Sequence, residues 1–137
     1  MTKKILCAID DTGHARNAIV YAAQLSAKTG TQLVFCTVNA LTGGLRGPQI
    51  YMHDDADIKK TLDNAASLAH QNGVKNTSEI ELKGREISTA VIQYAEQNGF
   101  DHIVVGTGDK RGLSRLVLGS VAADIAGRAH CTVTVAR

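Results

Sequence analysis

The chain has 137 residues, 44% of them hydrophobic, 20% charged and 4% aromatic, with a formal net charge of +2. That length predicts a single domain over residues 1–137, and the apolar content excludes intrinsic disorder. No apolar run approaches the roughly 20 residues of a membrane helix, the apolar stretch 5–9 is too short for a signal core, and Trp is absent while Lys and Arg are scattered, so neither a membrane nor a nucleic acid is the expected partner.

Residues 4–9 form a continuous apolar run ending in Asp10-Asp11, which predicts a buried strand. Over 14–29, Ala15, Ala18, Ile19, Ala22 and Leu25 recur at helical spacing, and Lys28 followed by Gly30 is a stop. A second apolar strand is predicted over 32–38. Residues 39–53 hold three Gly and the only Pro, and are expected to be a loop. A helix is predicted over 54–72, with Ile58, Leu62, Ala65, Ala66 and Ala69 on one face and Gly73 after it. The run 77–82 turns Ile80 and Leu82 inward, as a less buried strand near an edge would. A helix over 86–98 carries Ile87, Ala90, Val91, Tyr94 and Ala95 and stops at Gly99; a strand follows over 101–105. Residues 107–115 are a polar, Gly-rich loop. A last helix over 120–128 and a strand over 131–136 complete the pattern.

Strand and helix alternate four times before the final strand, the signature of an open parallel α/β sheet with right-handed crossovers. Ligands in such sheets bind at the carboxyl ends of the strands, where the strand order reverses. That rule selects the segments after Ile9, Val38 and Val105. Cys7, Cys36 and Cys131 are widely spaced, odd in number and each within an apolar run. They predict buried free thiols rather than a zinc site or disulfide framework, and a reduced cytoplasmic setting.

The strongest chemical signal is the segment from Gly106-Thr107-Gly108-Asp109-Lys110-Arg111-Gly112 to Gly119-Ser120-Val121. A Gly-rich turn lets backbone approach a phosphate closely, and Gly119-Ser120 opens a helix whose free N–H groups attract an anion. It is not a Walker loop, which needs Gly-Lys-Ser/Thr, nor a dinucleotide fingerprint, whose glycine spacing and place after the first strand differ. A plain surface loop with a capped helix is the alternative. Asp10 and Asp11 are placed either to accept from a ribose hydroxyl or metal-bound water, or to cap the first helix, for which Thr12 serves equally. His14, His53, His70, His102 and His130 show no ligand spacing, and Ser120 has no His or acid at a telling distance.

With these residues in view the whole chain resembles the universal stress protein family. The opening strand ending in Asp10 and the closing Gly119-Ser120-Val121 … His130-Cys131-Thr132-Val133-Thr134-Val135 stretch carry the likeness. The ATP-binding branch has Gly-x2-Gly-x9-Gly-Ser/Thr; Gly106, Gly119 and Ser120 match, Asp109 stands where the middle glycine would be, and Gly108 lies one residue earlier. The resemblance implies an open five-stranded parallel sheet of order 3-2-1-4-5 with helices on both faces. It implies ATP or AMP as ligand, with Mg²⁺ a candidate bridge between Asp109 and the phosphates. It implies that Asp10 contacts the nucleoside, that the backbone of Val38 reads the adenine edge, that Gly106 lies under the ribose, and that Gly119, Ser120 and Val121 bind phosphates. Ala8, Ile9, Val105, Gly108 and Asp109 join the same expected site. It further implies a homodimer through the last strand, with Val133 and Val135 near the contact. Two classes of function remain open: a nucleotide-binding stress-response regulator, and a nucleotide-free dimeric interaction protein of the same fold. Slow ATP hydrolysis is weaker, since no general base is placed by the sequence.

Overall fold

The computed structural model describes residues 3–11, 15–107 and 119–137. The elements run β1 (Lys4–Ala8), α1 (Arg16–Thr29), β2 (Gln32–Gly43), β3 (Gln49–Tyr51), α2 (Asp55–Gln71), β4 (Ser78–Gly84), α3 (Ile87–Gln97), β5 (His102–Gly106), α4 (Ser120–Arg128) and β6 (Thr132–Ala136). Five strands make one parallel sheet in the order β4-β2-β1-β5-β6. This is the expected 3-2-1-4-5 arrangement once β3 is counted separately.

β1 is central because its residues suit burial on both faces. Ile5, Leu6 and Cys7 are wholly inaccessible, and alternate residues enter opposite cores. On one face Ile5, Cys7, Leu33 and Phe35 pack beneath α1 and α2; on the other Leu6, Val34, Cys36 and Ile103 pack beneath α3 and α4. The alanines of α1 and α2, such as Ala18, Ala22, Ala65 and Ala69, let helix backbone approach the sheet closely.

The expected loop at 39–53 is corrected. β2 continues for twelve residues to Gly43, and Gln49–Tyr51 returns antiparallel beside Leu41–Gly43 as β3. Glycine is needed at the turn: Gly43 has φ 76°, and a Cβ there would sit 2.5 Å from the Pro48 carbonyl oxygen. Capping of α1 is one of the two roles open to Asp10 and Asp11. α1 runs from Arg16 with Ala15, which offers no capping side chain, in the cap position, while Thr12 and His14 lie outside the described residues. α2 does start as the sequence suggests, with Asp54 accepting from Asp57 N–H at 2.8 Å. Cys7 and Cys36 are buried; Cys131, also expected to be buried, is only half-buried. Among the described residues no helix is long and apolar enough to cross a membrane.

The start of β1 is tied to the start of β5. The Asp101 carboxylate accepts from the backbone N–H groups of Lys3 (2.8 and 3.0 Å) and Lys4 (3.0 Å). Lys4 Nζ reaches the Asn98 carbonyl at 2.6 Å and lies 4.3 Å above the Phe100 ring centroid. Burial alone would raise the Asp101 pKa, but the N–H groups of Lys4 and Lys3 outweigh it and hold the carboxyl below its ordinary value. A depressed carboxyl contributes stability that is present above its unfolded pKa and lost as pH falls through the folded one. Asp101→Asn is therefore expected to cost about 1 kcal/mol at neutral pH, after discounting for solvent. The deficit should shrink below about pH 4. Urea unfolding of both proteins across pH measures this; a deficit independent of pH would contradict it.

Candidate functional site

The carboxyl ends of β1, β2 and β5 form the floor of a cleft of about 340 Å³, within the size range of small-molecule sites. Ala8, Ile9 and Asp10 come from the end of β1, Val38 from β2, Val105 and Gly106 from β5, and Gly119, Ser120 and Val121 from the start of α4. The structure thus brings nine of the sequence-selected residues around one space. The other two, Gly108 and Asp109, lie outside the described residues, as do Lys110, Arg111 and Arg115.

Each residue is there for a local reason. Ile9 has just left the strand, but its N–H still donates to the Cys36 carbonyl at 2.9 Å, which fixes where Asp10 emerges. Asp10 and Asp11 are exposed and line the cleft. Ile9, Val38, Ile58 and Val105 are buried and make the lining apolar. α4 opens the opposite end. Its first intrahelical bond runs from Ala123 N–H to the Gly119 carbonyl at 2.8 Å, so the N–H groups of Ser120, Val121 and Ala122 precede the ladder. Gly119 in the cap position has no side chain with which to cap this turn. The positive end of α4 therefore borders the cleft.

Several lining residues were not selected from the sequence. His53 sits just after β3, and Asp57, Ile58 and Thr61 lie on the first turns of α2. A signal existed for two of them: Asp57 and Thr61 are spaced four apart, so they fall along one line of the helix beside the apolar face. Among the described residues no group of three or more His, Cys, Asp or Glu side chains is placed to hold a metal ion.

A polar network fixes α4 against α3 beside the cleft. Arg128 donates to Glu86 at 3.0 Å, to Asp124 at 2.8 Å and to the Thr89 hydroxyl at 3.1 Å. The Ser88 hydroxyl sits between Glu86 and Asp124, and Thr89 donates to Glu86 at 2.7 Å. Thr89, Arg128 and Ser88 hold the Glu86 carboxyl below its ordinary value, and Ser88 and Arg128 do the same for Asp124. Both carboxyls therefore favour this arrangement above their unfolded pKa and release it as pH falls through the folded values. Arg128→Ala is expected to lower the melting temperature slightly at neutral pH, since exposed pairs are individually weak, and to speed hydrogen exchange in α4. Both effects should fade below the ordinary carboxylate range, about pH 4. Exchange in α4 unchanged at neutral pH would show that the network does not hold the helix.

The sequence profile described as "Universal stress protein family" matches residues 1–137, and the chain belongs to that family. Universal stress protein YxiE of Bacillus subtilis is 27% identical over the full length of both chains. Universal stress protein MJ0531 of Methanocaldococcus jannaschii is 37% identical over 79 residues, which are 58% of this chain but only 45% of that protein. Among solved structures, a universal stress protein in complex with cAMP superposes with a TM-score of 0.79 at 21% identity, covering 99% of this chain and 97% of that one. A universal stress protein from Archaeoglobus fulgidus in complex with dAMP gives 0.69 at 23% identity, covering 98% of each chain. At these identities the structural likeness is one of fold.

Proposed function

We propose that the cleft binds an adenine nucleotide, ATP or AMP, and that the protein acts as a nucleotide-responsive stress regulator. The observation that carries this reading is the convergence of an apolar floor, Asp10 and the first turn of α4 on one cleft of about 340 Å³. The polarity runs the right way for a nucleotide. Apolar side chains at the β2 end suit a base, an acceptor at the end of β1 suits a ribose hydroxyl, and a helix N-terminus suits phosphate. The complexes with cAMP and dAMP among its fold relatives support the same ligand class.

Mass spectrometry of the denatured protein is expected to release a co-purifying adenine nucleotide. Asp10→Ala should weaken binding about tenfold in calorimetry, the worth of one hydrogen bond to a charged group. Gly119→Val should abolish phosphate-dependent affinity, with and without Mg²⁺. Gly119 has φ −63° and ψ 152°, which valine adopts freely, so such a loss would report the added side chain rather than backbone strain. Absence of co-purified nucleotide together with no heat from ATP, ADP or AMP would favour the nucleotide-free interaction protein.

That second reading has its own support in β6. This strand pairs only with β5 among the described strands, and Val133 and Val135 on it are half-buried. An apolar strand with an unpaired edge favours pairing with another chain. A homodimer through β6 is proposed under either reading. Sedimentation at micromolar concentration should give twice the monomer mass, and Val133→Lys should return it to monomer. A wild-type protein sedimenting only as monomer would reject the assembly.

A further inference from the structure

Asn39 stands where β2 begins to outrun β1, and it is 2% exposed. Its carboxamide grips the backbone of a residue fourteen positions away. Oδ1 accepts from His53 N–H at 2.9 Å, and Nδ2 donates to the His53 carbonyl at 2.8 Å. Nδ2 also donates to Glu81 Oε2 on β4 at 3.0 Å. Turning the amide over would set Oδ1 against that carboxylate and the His53 carbonyl, and Nδ2 against an N–H, so the partners fix one orientation. His53 is thus held at both of its backbone polar groups, as a neighbouring strand would hold it. The next residue, Asp54, caps α2. β3 is steadied beside it by Lys83 Nζ, 5.0 Å from the Tyr51 ring centroid.

His53 lines the cleft at the β2 end, next to the residue that follows Val38. Gly106 and the start of α4 lie at the β5 end, with β1 between. A ligand with phosphate on α4 therefore turns its base toward β2 and α2. There the imidazole offers one donor and one acceptor to the base edge. His53 shares this end with Asp57 and Thr61 beside the apolar Val38 and Ile58, and a base that cannot answer the imidazole leaves it unpaired.

We infer that His53 is the side chain that selects the base, and that Asn39 is the positioning residue that aims it; this rests on the adenine-nucleotide reading above. The test is calorimetric titration with AMP and with GMP. The wild type is expected to prefer AMP. His53→Ala should move the AMP:GMP affinity ratio toward one by about tenfold, the upper range for a single hydrogen bond. His53→Gln, which keeps a donor and an acceptor, should restore part of the preference. Asn39→Ala should shift the ratio in the same direction, and the double variant no further than His53→Ala alone, because the two act as one unit. Asp10→Ala should weaken both nucleotides and leave the ratio unchanged. A merely structural Asn39 would change the melting temperature but not the ratio, and would overturn its positioning role. AMP bound with a ratio insensitive to His53→Ala would overturn the inference while leaving the adenine-nucleotide reading standing. Wild-type protein that binds neither nucleotide would overturn both.

Discussion

The cleft depends on β1 being the strand at which the chain reverses its direction across the sheet. From β1 the path steps to β2 and then β4, and afterwards crosses back to β5 and β6 on the far side. With right-handed crossovers, that reversal puts α1 and α2 on one face and α3 and α4 on the other. The carboxyl ends of β1 and β5 then border one opening, the crevice in which such sheets bind ligands. A different strand at the centre would give the same helices and cores without this opening.

The two sides of the opening are built by different means. On the β5 side a helix terminus is presented and braced from behind by the Arg128 network. On the β2 side the wall is a strand ribbon together with the first turns of α2. β2 overshoots its neighbour, folds back as β3 and is locked by the buried Asn39 amide. Leaving such an amide half-paired in the interior is costly, so its three bonds behave as a unit. One side therefore offers dipole and N–H groups, the other a shaped surface.

Much of this was legible in the residues. The helices announce themselves by their alanine and isoleucine spacing and by glycine stops at 30, 73 and 99, and the buried strands by unbroken apolar runs. The strand ends that frame the cleft follow from the reversal rule alone. The ribbon at 39–51 was hidden because three glycines and a proline read as punctuation, whereas two of those glycines serve one tight turn within a strand pair. That error also concealed His53, since a residue assigned to a loop has no predictable direction.

The cysteines set the chemical temper of the molecule. Burial raises the Cys7 thiol well above its ordinary range and Cys36 to about 12, and partial burial together with nearby Asp101 raises Cys131. Thiol chemistry proceeds through the thiolate, so at neutral pH all three sulfurs are poor nucleophiles. Two are enclosed at strand centres where no reagent reaches without unfolding. Thiol oxidation would therefore be slow and act first at the margin of the sheet, beside β6, at Cys131.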